Sequence, residues 1–195
     1  KIIDKKNIGI VKMEVQRNVV PKKNFLKEVR EICDKKKIVL IFDECTSGFR
    51  SCYGGLHLKY KINPDISIFG KALGNGHAIN AIIGKKEIME NIKDTFISST
   101  FWTERLGSVA GLETLKLMKK IESWKINSKI GANIKKNWNQ IARENSLRIN
   151  VQGIDSLPNF IFNSNKHNLY KTYISQQMIK KKIMASNVVY TCISH

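Results

Sequence analysis

Long apolar runs are missing from this chain of 195 residues. The longest, Ile38-Val39-Leu40-Ile41-Phe42, is far short of the roughly 20 residues of a membrane-crossing helix, so none is expected. The opening Lys1-Ile2-Ile3-Asp4-Lys5-Lys6 lacks the apolar stretch of a secretory signal and has no initiator Met. The closing Val188-Val189-Tyr190-Thr191-Cys192-Ile193-Ser194-His195 reads as a strand that no turn closes. Both ends read as cut, and the chain is expected to be an internal fragment. Cysteines number 4, with no Cys-x-x-Cys and no His at ligand spacing from a Cys pair, so no metal is expected. Cys33 falls on the apolar face of an expected helix and reads as a buried thiol. A reducing cytoplasm is the simplest compartment.

Acidic residues are also scarce, 16 against 34 Lys and Arg, for a net charge of +18. Such an excess is a candidate signal for nucleic acid or an anionic membrane surface. Its make-up speaks against both. Lysines outnumber arginines 28 to 6, alongside abundant Ile and Asn, as AT-rich coding produces. They are scattered, and the densest cluster is Lys180-Lys181-Lys182. Nucleic acid is therefore not an expected partner, and a basic binding module is the weaker alternative.

Leu, Ile, Val and Phe make up 58 of the 195 residues, well above the roughly 20% of disordered chains, so a packed core is expected. Strand and helix alternate early. Ile8–Val15 reads as a strand, and Asn24 caps a helix to about Lys36 with Phe25, Leu26, Val29, Ile32 and Cys33 on one face. Ile38–Phe42 is a strand whose continuous apolar run suits a parallel sheet covered on both faces. Short strands are expected at Ile66–Phe69 and Ala78–Ile83, and a short helix at Lys86–Ile92. Long helices are expected at Glu104–Glu122 and Ser128–Glu144. Strands near Leu147–Val151 and Asn159–Phe162 and a helix over Leu169–Lys182 follow. The first part is α/β, and the part after Ser123 looks like the start of a smaller α+β unit.

Asp43 ends one strand, Lys71 lies just past another between glycines, and Ser99-Thr100 forms a polar turn ahead of a long helix. Ligands of open α/β sheets bind at the carboxyl ends of strands, where Asp43 and Lys71 both belong. The pair alone allows two readings. One is a salt bridge. The other is pyridoxal 5'-phosphate (PLP) chemistry, in which a lysine forms a Schiff base and an acid pairs with the pyridinium nitrogen.

Five blocks in order carry a resemblance that supports the second reading. They are Val11-Lys12-Met13-Glu14, Phe25-Leu26 through Cys33, and Leu40-Ile41-Phe42-Asp43-Glu44-Cys45-Thr46-Ser47-Gly48-Phe49-Arg50. Then come Pro64-Asp65-Ile66 through Phe69-Gly70-Lys71-Ala72-Leu73-Gly74-Asn75-Gly76, and Phe96-Ile97-Ser98-Ser99-Thr100-Phe101. Together they resemble the class III PLP-dependent aminotransferases, within the branch near glutamate-1-semialdehyde 2,1-aminomutase. Val15 replaces that family's usual Pro, and Trp102-Thr103-Glu104-Arg105 replaces its frequent Gly-Gly-Asn-Pro.

The resemblance implies a type I PLP-dependent transferase (aspartate aminotransferase-like) fold. Residues 1–123 would be the C-terminal half of the PLP-binding large domain. Residues 124–195 would be a linking helix and an incomplete small domain. It implies that Lys71 is the Schiff-base lysine and proton carrier, and that Asp43 holds the pyridine nitrogen protonated. Cys45 would lie on the ring face, where the family usually has Val. Thr100, with Ser99, would bind the cofactor phosphate of the partner subunit in a homodimer. Glu14 would line the substrate site. Substrates would be an amino donor and a carbonyl acceptor. The family's phosphate turn and ring-stacking aromatic would lie upstream, so the chain alone is expected to be inactive. A degenerate scaffold without amino transfer is the remaining alternative.

Overall fold

The computed structural model describes residues 7–195, so the signal-peptide reading of Lys1–Lys6 lies outside the described residues. Two compact units divide the chain. One comprises the described residues up to Arg17 together with Pro21–Glu122, the other Asn18–Val20 and Ser123–His195.

The first unit is built on four strands, β1 (Ile10–Met13), β2 (Val39–Asp43), β3 (Ile66–Phe69) and β4 (Ala81–Gly84), ordered in the sheet as in the chain. β2 runs parallel to β1 and β3, and β4 runs antiparallel to β3. Helix α1 (Phe25–Lys36) joins β1 to β2 and buries Leu26 and Cys33, as its apolar spacing dictates. Phe25 and Ile32 stay exposed. Asn24 does not cap by its side chain. It sits at φ 67°, and its carbonyl instead accepts the Glu28 N–H at 2.8 Å.

β2 buries Leu40 and Phe42 completely, while Val39, Ile41 and Asp43 on the opposite face are half-buried. The expected burial of both faces thus gives way to alternation, with apolar Val39 and Ile41 sharing the half-buried face with polar Asp43. β4 starts at Ala81, later than the expected Ala78. The residues before it stay in the loop, where Ile79 N–H bonds the His77 carbonyl at 3.0 Å. Asp65, at the foot of β3, accepts the Leu40 amide at 2.7 Å, Arg30 at 2.9 Å and Lys85 at 2.7 Å. One buried carboxylate thereby ties α1, β2 and the end of β4 together. The short helices α2 (His57–Tyr60) and α3 (Lys86–Met89) and the long α4 (Arg105–Ile121) complete the unit.

The second unit contains α5 (Ser123–Glu144), an antiparallel pair β5 (Ile149–Gln152) and β6 (Asn159–Phe162), and α6 (His167–Lys180). α5 begins five residues before the expected Ser128, because Glu122 ends α4 in a left-handed turn and the next helix starts at once. Trp138 and Phe160 pack edge-to-face at 5.0 Å, and Phe162 meets Tyr170 at 5.3 Å. Asn18 joins this unit by accepting the Gly153 amide at 2.8 Å. The expected terminal strand reduces to a single bridge from Val188 to Asn159. Beyond it, Thr191 bonds the Ser156 carbonyl through its hydroxyl at 2.9 Å.

Candidate active site

Parity along β2 sets the site. Leu40 and Phe42 point into the core and Asp43 to the other face. Glu44 then lies fully buried, with Oε1 accepting both the backbone N–H of His57 and a 2.9 Å contact from His57 Nδ1. Ser47 donates its hydroxyl to Oε2. Burial pushes the Glu44 carboxyl up, but the His57 and Ser47 hydrogen bonds outweigh it and hold the group below its usual range. Glu44 N–H also bonds the Ile68 carbonyl of β3 at 2.8 Å. The chain is therefore pinned one residue past Asp43, which fixes where that carboxylate stands.

Asp43 Oδ2 lies 2.9 Å from Lys12 Nζ, and its Oδ1 accepts the Cys45 amide at 3.2 Å. The Lys12 hydrogen bond holds the carboxyl below its ordinary value against the opposing effect of burial. Cys45 is half-buried, and burial followed by its hydrogen bond to Asp43 pushes its thiol up, away from the thiolate form.

Lys71 opens a 3₁₀ turn, Lys71–Leu73, directly after β3. Its Nζ donates to Thr46 Oγ1 at 2.7 Å, which brings the amine to the loop that follows Asp43. Lys71 stands at φ 46°. Lys37, Lys61 and Glu122 also have positive φ, but as helix C-caps, where that conformation is routine, whereas Asn24, Phe49 and Asn75 share it away from any C-cap. Lys71 closes no helix, and such strain concentrates at functional positions. Gly70 precedes it because a Cβ there would run into the Asn80 side chain and come within 3.4 Å of Cys45 Sγ.

The structure thus brings Asp43, Cys45 and Lys71 to adjoining strand ends. Glu14 stands apart in an exposed pair with Arg17 at 2.9 Å. Ser99 and Thr100 lie in an exposed turn, where Ser99 Oγ accepts the Phe101 amide at 3.3 Å. Among the described residues, no hydrogen bond or ion pair joins that turn to Asp43 or Lys71. Sequence reasoning missed Lys12, Thr46 and the Glu44–His57 contact. Only Glu44 carried a signal, since it continues the buried parity of Leu40 and Phe42.

The model of the family described as Aminotransferase class-III matches residues 18–184. The chain belongs to the class III aminotransferases. Over 186 residues the chain is 33% identical to the 3-aminobutyryl-CoA aminotransferase of Cloacimonas acidaminovorans (strain Evry), covering 90% of the chain and 44% of that relative. Over 104 residues it is 44% identical to the glutamate-1-semialdehyde 2,1-aminomutase of Citrifermentans bemidjiense, covering 52% of the chain and 24% of the relative. It superposes with a TM-score of 0.84, at 20% identity, on the PLP internal aldimine form of the Sphingopyxis sp. MTA144 FumI protein, covering 93% of the chain and 45% of that structure. An omega-transaminase from Sphaerobacter thermophilus gives 0.79 at 23% identity, covering 90% and 44%. The fold is that of the type I PLP-dependent transferases. The chain spans less than half the length of each of these relatives. Class III aminotransferases use PLP, and an ionised carboxylate, a primary amine and a small side chain at adjoining strand ends fit that cofactor. Among the described residues no group of His, Cys, Asp and Glu is arranged to hold a metal ion, and no helix is long and apolar enough to cross a membrane.

Proposed function

We propose that the complete protein transfers amino groups with PLP, and that the first unit is the C-terminal half of its cofactor-binding large domain. The second unit is then the linking helix and part of the small domain. The observation that carries this reading is the meeting of Asp43 and Lys71 at neighbouring strand ends of a class III aminotransferase chain, with Lys71 Nζ bonded into the Asp43 loop at Thr46.

When bound, PLP supplies an aldehyde that captures amines and a ring that accepts electrons from the substrate's α-carbon. Lys71 holds the cofactor through its amine and, once released, moves a proton at that carbon. Asp43 keeps its negative charge and stabilises a proton on the ring nitrogen. Cys45 packs on the ring face. Glu14 lines the substrate side, where its pair with Arg17 leaves it exposed to solvent. Ser99 and Thr100 bind the phosphate held by a second copy of the chain, a reading supported by their exposure and by their lack of bonds to Asp43 and Lys71. The free cysteines Cys33, Cys45, Cys52 and Cys192 support a reducing, cytoplasmic setting. The relatives' names divide between an aminotransferase and an aminomutase. A requirement for a separate carbonyl acceptor distinguishes the two.

The test is borohydride trapping of the complete protein with PLP, followed by peptide mapping. The reduced phosphopyridoxyl label is expected on Lys71 and absent from Lys71→Ala. Label retained in that variant would sink the assignment.

A further inference from the structure

Lys12 has no part in the reading above, yet it holds the carboxylate on which that reading depends. In the parallel register of β1 and β2, Lys12 pairs with Ile41, so Lys12, Ile41 and Asp43 share one face of the sheet. Its ammonium lies 2.9 Å from Asp43 Oδ2, while Oδ1 accepts the Cys45 amide at 3.2 Å. Both oxygens of Asp43 therefore already have a donor. Lys71 does not share this task, since its amine is bonded to Thr46.

A protonated ring nitrogen seeking Asp43 meets an ammonium already in place. Carboxylate oxygens have lone pairs to spare, so the conflict is one of charge rather than of valence. Two cations on one carboxylate repel each other, so each weakens the other's hold unless one withdraws. Lys12 is the one built to do so. Its side chain is 55% exposed, its charge rides on a flexible four-carbon stem, and an ion pair this open to water is weak. The pair is thus too exposed to be a major prop of the fold, but close enough to compete for Oδ2.

We propose that Lys12 is a positioning residue that competes with the cofactor's ring nitrogen for Asp43 Oδ2 and so limits how tightly the site holds PLP. This rests on the aminotransferase reading. Lys12 neutralises Asp43 before the cofactor arrives, swings into solvent as the ring binds, and returns when it leaves. Easy cofactor exchange is the consequence.

The test measures binding of 4'-deoxypyridoxine 5'-phosphate to the complete protein by equilibrium dialysis. This compound keeps the ring nitrogen and the phosphate but has no aldehyde, so the chemistry of Lys71 does not enter. Lys12→Met, of similar length and uncharged, is expected to bind it about five-fold more tightly than the unaltered protein. Lys12→Gln is expected to move the same way and serves if the Met variant does not fold. In an Asp43→Asn background the Lys12 substitution is expected to change affinity by less than about two-fold, since the contested charge is gone. Borohydride labelling of Lys71 is run in parallel. Normal labelling with no tightening in either variant, weaker binding in both, or an undiminished effect in the Asp43→Asn background overturns the role of Lys12 and leaves the aminotransferase reading intact. Absence of label from the unaltered protein overturns both.

Discussion

Asp65 is the residue on which the first unit's charge balance turns. Its side chain is 7% exposed and faces the guanidinium of Arg30 and the ammonium of Lys85, with the Leu40 amide on the same oxygen as Arg30. Burial pushes its carboxyl up, but the Leu40 amide and the two cations together hold it below the reference value of 3.8. Asp65→Asn keeps the shape and an acceptor for Leu40 but leaves the poorly exposed Arg30 with only the exposed Asp34, at 2.8 Å, as counter-charge. The expected cost is about 3 kcal/mol of unfolding free energy at pH 7. A depressed folded-state pKa contributes stability that is complete above the unfolded value and is lost as pH falls through the folded one. The gap between the unaltered protein and the variant should therefore be constant from neutral pH down to about 5 and close only below the reference value of 3.8. Urea titrations at several pH values measure it, and a gap that closed between pH 7 and 5 would assign the effect to another group. At this scale the sequence revealed the end members of the site but not their partners. Asp43 and Lys71 announce themselves by standing where strands end. Lys12 and Thr46 do not, because their proximity depends on strand register and on the path of a loop, which no local pattern encodes.

Elements were most legible where periodicity was strong and boundaries were marked. β3 falls on Ile66–Phe69, as its apolar run between Asn63-Pro64-Asp65 and Gly70 predicts. The start of α5 was hidden because a left-handed Glu122 substitutes for the glycine that would ordinarily announce a helix end. The last residues misled because Val188-Val189-Tyr190 has β-propensity, while its pairing with β6 is confined to Asn159 at that strand's start, beyond which the Val189 and Thr191 amides bond the carbonyls of Pro158 and Ser156. α5 also carries a packing constraint that composition conceals. Gly131 is buried in mid-helix, a costly place for glycine. A Cβ there would collide with the backbone carbonyl of Asp155, an atom that cannot swing aside as a side chain would. Helix propensity favours alanine by about 1 kcal/mol, but the collision opposes it. Gly131→Ala is expected to lose about 3 kcal/mol, the upper end of overpacking costs. Thermal unfolding of the second unit reads the sign directly. Stabilisation by the substitution would mean that the loop around Asp155 yields easily.

At the scale of the molecule, the alternation of strand and helix was enough to read the α/β class, because each early strand is punctuated by its own turn signal. The net charge of +18 carried no comparable message about fold, since charge governs encounters rather than topology. What the pattern of one chain does not encode is the assignment of residues to one subunit's site or to its partner's. The exposed turn at Ser99 and Thr100 makes that assignment testable. Suppose Thr100 completes the phosphate site of a second copy, as we propose. Lys71→Ala chains have no amine for the cofactor, and Thr100→Ala chains hold its phosphate weakly. When the two are mixed and allowed to exchange, a mixed dimer joins the intact Lys71 of one chain to the intact Thr100 of the other. Random pairing of equal amounts makes about half of the dimers mixed, each with one complete site of two, so about a quarter of all sites regain tight, borohydride-trappable PLP. If Thr100 instead serves its own chain, no pairing of these variants contains both residues in one site, and mixing restores nothing. Labelling at limiting PLP, counted per chain before and after exchange, separates the two arrangements, because only the shared site gains label on mixing.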